Sequence, residues 1–140
     1  MSSLHDLRDG LRRRAETISG LRTYAEMHPK PEPPAFCVNG PVRWTYDEAM
    51  GPDTERLWRP VFECWVLVNA ADLYRAQEAL DTYVAPSGQR SIAAAIDGDV
   101  TLGGVAHFAR VIGGARPYTT VDTAGVPLLG FALEVEVTAV

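Results

Sequence analysis

Leu4, Leu7, Leu11, Ala15 and Ile18 recur at steps of three and four, the spacing of one helix face. Ser3 is placed to cap that helix, and Asp6 three residues on supplies the acidic half of a capping box. Gly20 suits the left-handed turn that closes a helix. The pattern predicts an amphipathic helix over residues 3–19, with Gly10 as a weak point inside it. Next comes His28-Pro29-Lys30-Pro31-Glu32-Pro33-Pro34, where fixed φ angles and missing amide donors predict a stiff, extended connector. The alternative use of such a stretch, as a ligand for aromatic-lined grooves, has less support because no disordered sequence surrounds it.

Beyond the connector the period shortens to two. Ala35–Val38 reads as a short strand ended by the turn signal Asn39-Gly40-Pro41, and Val42–Tyr46 as a second strand. Residues 47–55 contain Gly51-Pro52-Asp53 and predict an exposed loop. Arg56–Asn69 predicts a long strand with Phe62, Cys64, Val66 and Val68 on one face. Its other face (Val61, Glu63, Trp65, Leu67, Asn69) is mixed, and so is partly covered or meets a partner. A second helix opens at Asn69–Asp72, with Leu73, Ala76, Leu80 and Tyr83 or Val84 as its buried stripe, and Pro86-Ser87-Gly88 ends it. Ile92, Ala95 and Ile96 predict a short third helix stopped by Gly98. Val105–Ile112 and Val126–Val140 complete the strands, the latter with Leu129, Phe131, Leu133, Val135 and Val137 on one face and Glu134, Glu136 and Thr138 on the other. Between them Gly113-Gly114-Ala115-Arg116-Pro117-Tyr118 begins a predicted loop of about a dozen residues, the length that serves recognition or assembly. Strands joined by short loops and grouped helices predict an α+β fold: a mostly antiparallel sheet with helices on one face, the N-terminal helix first, in one domain over 1–140.

Composition narrows the function. A chain of 140 residues, 46% hydrophobic and 22% charged, has the makeup of a globular domain that needs no disulfide or metal to hold its core. No stretch approaches the ~20 apolar residues that span a bilayer, and the start lacks a secretory layout, so synthesis and residence in the cytoplasm are expected, with no membrane partner. The net charge of −5 argues against a binder that works by neutralising phosphates.

Candidate chemistry is sparse. Phosphate-binding loops, nucleophile elbows, zinc-protease and calcium-loop motifs are all missing from the sequence. Cys37 and Cys64 lack metal-ligand spacing and read as buried thiols. His107, placed on a strand with Val105, Ala109 and Val111, would have to cross the sheet to meet either cysteine as a metal site or a thiol–imidazole pair. Glu134 with Glu136, and Asp97 with Asp99, read as solvated surface rather than as acid–base pairs. Arg12-Arg13-Arg14 is too short for a nucleic-acid arm but suits an acidic neighbouring subunit. No catalytic residue, metal or cofactor is assigned.

Several segments together carry a resemblance. These are Ile18-Ser19-Gly20-Leu21-Arg22-Thr23-Tyr24, the proline step into Pro33-Pro34-Ala35, Tyr46-Asp47 before a long strand, and Ala76-Gln77-Glu78-Ala79-Leu80-Asp81-Thr82-Tyr83. Gly88-Gln89-Arg90-Ser91-Ile92, Thr101-Leu102-Gly103-Gly104 and the closing strand from Leu129 to Val137 follow in the same order. The set resembles the tail terminator proteins of long-tailed bacteriophages, especially those of actinobacterial hosts, over nearly the whole chain. The resemblance implies a structural virion protein, not an enzyme: a ring, commonly a hexamer, that caps the tail tube, stops its polymerisation and joins the tail to the head connector. Implied partners are further copies of the chain, the major tail tube protein and the connector or stopper protein. DNA would pass through the lumen without specific binding, which an acidic chain suits. Interface candidates are Asp53, Glu55, Arg56 and Trp58 around the first loop and Arg116 and Tyr118 in the later one. Two alternatives stay open: another neck, head-completion or minor tail protein, and a small enzyme or ligand-binding domain built on Cys37, Cys64 and His107.

Overall fold

Ser3 and Asp6 form the capping box: the Asp6 amide donates to Ser3 Oγ at 3.1 Å and the Ser3 amide to Asp6 Oδ2 at 3.0 Å. The helix they start, α1, runs Leu4–Glu16, three residues short of the predicted end. Thr17 caps it and Ile18 stays buried in the following turn, so the apolar spacing outlasts the helix. In this computed structural model the described residues are 2–46, 57–123 and 125–139.

Among the described residues five strands follow in one sheet: β1 (Arg22–Tyr24), β2 (Ala35–Tyr46), β3 (Trp58–Asn69), β4 (Phe108–Thr123) and β5 (Val126–Thr138). Their spatial order is β1-β2-β3-β5-β4, antiparallel except for the short parallel pair of β1 and β2. Helices α2 (Leu73–Val84) and α3 (Ile92–Asp97), with a 3₁₀ turn at Leu102–Gly104, lie between β3 and β4 in the chain. Asp72 caps α2 and Ser91 caps α3, each accepting an amide hydrogen bond. The α+β class, the predominantly antiparallel sheet and the leading helix are as the pattern predicts.

The helices cover one face. Leu7, Leu11 and Ala15 of α1, Ala76, Leu80 and Tyr83 of α2, and Ile92 and Ile96 of α3 pack on Phe36, Val38, Phe62, Cys64, Val66, Val135 and Val137. Leu73 departs from the predicted stripe of α2: it stands at the helix start and is 59% exposed. Gly10 is not a weakness but a contact, since a Cβ there would stand 2.9 Å from Leu102 Cβ.

Among the described residues the opposite face has no helix layer. Its apolar half (Ala35, Cys37, Trp65, Leu67, Leu128, Ala132) is nonetheless buried. Part of the cover is the proline-rich connector, whose His28 backbone lies beside the Cys37 thiol while its ring centroid packs 4.6 Å from that of Tyr24. Glycine makes the rest possible. A Cβ on Gly130 would come within 2.7 Å of Leu67 Cδ2 and 3.1 Å of Trp65 Cε3, so the bare backbone lets both side chains lie across β5.

Three boundaries differ from the sequence-based expectation. β2 runs straight through Asn39-Gly40-Pro41, because a register shift between Asn39 and Arg43 absorbs the extra residues as a bulge rather than a turn. β4 begins at Phe108, not Val105, and continues through Gly113–Tyr118 to Thr123. The predicted dozen-residue loop is therefore strand, carrying register shifts at Val111/Gly113, Gly114/Arg116 and Arg116/Thr119. Pro117 is tolerated there because β4 is an edge strand.

Candidate interaction surface

The uncovered face carries three carboxylates side by side: Glu63 of β3 directly opposite Glu134 of β5, with Glu136 two residues on. Such a cluster repels itself unless cations intervene. Here each carboxylate has its own arginine. Arg43 on β2 reaches over β3 to Glu134, with Nη1 at 3.0 Å from Oε1 and Nη2 at 2.6 Å from Oε2. Arg116 on β4 reaches over β5 to Glu63 at 3.6 Å, and Arg110 meets Glu136 at 3.4 Å. Two of the ties span an intervening strand, so they lock strands that share no backbone hydrogen bonds. Arg43 holds the Glu134 carboxyl below its usual range. A neutral-pH general acid needs the opposite shift. Glu134 and Glu136 are thus surface residues, as predicted, but ion-paired ones.

The predicted interface residues divide among different places. Asp53, Glu55 and Arg56 lie outside the described residues. Trp58 starts β3, half-buried, its ring stacked on Tyr46 with centroids 6.2 Å apart and its backbone bonded both ways to Ala139 at 3.0 Å. Arg116 and Tyr118 stand on a strand, not on a loop tip. Tyr118 has φ +39°, donates its phenol to Asp81 of α2 and sets its ring edge-on to Phe131 at 5.7 Å. Asp81 raises the Tyr118 pKa above its ordinary value. Trp58 and Tyr118 are not brought together: β5 pairs with their two rows at Ala139 and near Gly130, nine residues or roughly 30 Å apart.

Cys37, Cys64 and His107 do not assemble either. Cys37 pairs in register with Trp65 and Cys64 with Val38, so the two thiols project from opposite faces of the sheet. Both are fully buried and burial pushes both thiols up, away from a reactive thiolate. His107 is exposed just before β4, where its amide donates to Thr138 at 2.8 Å. Cys64 lies level with Leu133 on β5, six residues from Ala139, or roughly 20 Å from the histidine's end of the sheet. Among the described residues there is no group of three potential metal ligands, and no helix is long and apolar enough to cross a membrane. The arginine run of α1 is engaged within the chain. Arg12 bonds Asp9 and Glu16, Arg13 faces Asp9 at 3.3 Å, and Arg14 donates to the Ala95 carbonyl at 2.8 Å.

The remaining surface features leave no mark in the local sequence pattern, because they depend on how the ends of elements meet. A groove of about 490 Å³ opens where α2 parts from the α1–β1 turn; Pro33, Pro34, Asn69 and Tyr83 line it, and Arg75 and Arg90 flank it. Arg90 lies 6.0 Å from the centre of the Tyr83 ring. Leu73 and Tyr74, at 59% and 73% exposure, stand at this same end of the sheet. At the other end Trp44 and Phe108 are 50% and 46% exposed. No known family model matches the chain, and no curated protein is significantly similar to it.

Proposed function

We propose that this chain is a ring-forming structural protein of a long-tailed bacteriophage, of the tail terminator kind. Copies of it close into a ring, commonly a hexamer, on the last layer of the tail tube. The ring stops tube growth and presents its far side to the head connector, while DNA passes through the lumen without sequence-specific contact. The protein is made in the host cytoplasm and resides in the virion.

The observation that carries this reading is the distribution of exposed apolar side chains. Leu73 and Tyr74 stand at one end of the sheet, and Trp44 and Phe108 at the other. Large apolar groups gathered at surface sites mark places of association, and aromatic residues are enriched there. Two unlike ends suit head-to-tail contact, the mode that builds closed rings. The ordered resemblance from Ile18 to Val137 points the same way.

Negative-stain electron microscopy of the protein alone and mixed with its tail tube protein tests the proposal. Rings, free or capping shortened tubes, are the expected result. Particles that stay monomeric and leave tube length unchanged would overturn it, and binding to a portal-side protein instead would favour the head-completion alternative.

A further inference from the structure

The groove between α2 and the α1–β1 turn is apolar at its floor and carries hydrogen-bond donors at its rim. Val68, Ala76, Ala79 and the Tyr83 ring form the floor, within a volume of about 490 Å³, the size of a ligand-binding cleft. Leu73 stands one helical turn before Ala76 and is 59% exposed, so it extends this apolar strip past the groove's end. Ser19, Asn69, Arg75 and Arg90 supply the polar lining. Among the described residues no carboxylate lines the groove, although the chain carries a net charge of −5. Asn69 uses its Oδ1 to accept from the Ala71 amide at 2.8 Å, which leaves its NH2 group to donate. Arg90 lies 6.0 Å from the centre of the Tyr83 ring and has no ion pair or hydrogen bond among the described residues. The Arg75 guanidinium, 84% exposed, meets only Asp72 of its own helix among those residues, at 3.6 Å, a contact that solvent screens.

An occupant of this groove must offer acceptors beside apolar groups. We propose that it binds an extended acidic segment of a partner protein, one in which Asp or Glu flanks a large apolar residue. The carboxylates take the N–H forks of Arg75 and Arg90 and the Asn69 amide, while the apolar side chain lies on Tyr83, Ala76 and Ala79. Opposite charge steers the encounter and the apolar floor holds what arrives. A phosphate group alone would fill the arginine forks but leave the floor in water. A purely apolar segment would cover two guanidiniums without giving them partners, which is costly. With Leu73 beyond its end, the apolar strip is also longer than a single small carboxylate could cover. The site does not depend on ring formation, and serves any partner that presents such a segment.

Fluorescence anisotropy of the full chain with labelled peptides tests the site. One peptide holds Asp-Leu-Glu-Phe-Glu between glycine–serine ends; a second has the corresponding amides in place of the acids, and a third has phosphoserine there. The wild-type chain is expected to bind the acidic peptide about tenfold or more tightly than the amide one, and less tightly as salt rises. Arg75→Gln with Arg90→Gln is expected to remove that preference. Both arginines are exposed, so this variant should keep the wild-type urea midpoint, which confirms that it is folded. Ala79→Trp, which fills the floor, is expected to weaken the acidic and amide peptides alike. Backbone amide shifts on titration with the acidic peptide should concentrate around Asn69, Ala76, Ala79 and Arg90. Equal binding of the acidic and amide peptides, binding of neither, or an unchanged preference in the double glutamine variant would overturn the proposal. Tighter binding of the phosphoserine peptide would overturn it in favour of a phosphorylated partner.

Discussion

Gly10 of α1 and Leu102 of the 3₁₀ turn touch so closely that a Cβ on Gly10 would stand 2.9 Å from Leu102 Cβ and 3.0 Å from Val105 Cγ2. Leu102 is buried at φ +52°, a conformation it holds only because its surroundings fix it, so it has little freedom to retreat. Gly10→Ala therefore sets two effects against each other. Helix propensity favours alanine by about 1 kcal/mol, while overpacking a close contact costs about 1–3 kcal/mol. The expected net is destabilisation of about 1 kcal/mol, read as a lower urea midpoint with an unchanged slope. A raised midpoint would mean that α1 can shift away from the turn.

The Arg43–Glu134 tie makes stability depend on pH. Because Arg43 holds the folded Glu134 carboxyl below its unfolded value, the unfolded chain takes up this proton first as pH falls. The contribution is present at neutral pH and is lost as pH drops through the folded value. Arg43→Gln should show a smaller fall in urea midpoint from neutral to acid pH than wild type, and a small effect at neutral pH, as exposed ion pairs do. Equal acid slopes in the two proteins would place the pH dependence elsewhere.

Tyr118 pins the β4–β5 hairpin to α2 through Asp81, and its raised pKa gives the opposite sign. The clamp is intact below the ordinary tyrosine range and is lost as pH rises through the folded value, where a phenolate would face the Asp81 carboxylate. Tyr118→Phe keeps the edge-on contact with Phe131 and removes only the hydrogen bond. Amide exchange should quicken across residues 119–128 while the global midpoint moves little. Unchanged exchange there would show that ring packing alone holds the hairpin.

Cys64 and Cys37 should resist thiol reagents in the folded protein, because burial disfavours the thiolate that reacts. Full labelling is expected only in denaturant, and the native rate should track unfolding. No intramolecular disulfide should form on mild oxidation, since the thiols project from opposite faces of the sheet. Fast labelling of Cys37 alone would show that the connector over it opens separately.

Where the period was unbroken, the sequence was legible. α1 follows from Leu4 to Ala15 at helical spacing, and β5 from the alternation between Leu129 and Val137. The errors cluster where bulges break the alternation. In β4 three register shifts let Gly113, Gly114 and Pro117 sit inside a strand, so turn-type residues there mark an irregular edge and not a loop. β2 hides Gly40-Pro41 in the same way. β1 is three residues paired in parallel, too short to leave any pattern. The arginine–glutamate ties were illegible for another reason. Arg43 and Glu134 are 91 residues apart and on strands that are not neighbours, so no local spacing links them.

The irregular outer strands have a consequence for life at high concentration. An uninterrupted strand edge is a template on which the next chain can add without limit. Here β4 bends its edge at three places, and β2 breaks its own at Gly40-Pro41 just past the stretch that β1 covers. Among the described residues neither flank offers a long straight row of free backbone groups. Crowded copies are thereby turned away from open-ended fibre growth, and any association between them is left to side-chain surfaces, which have a fixed geometry and a finite end.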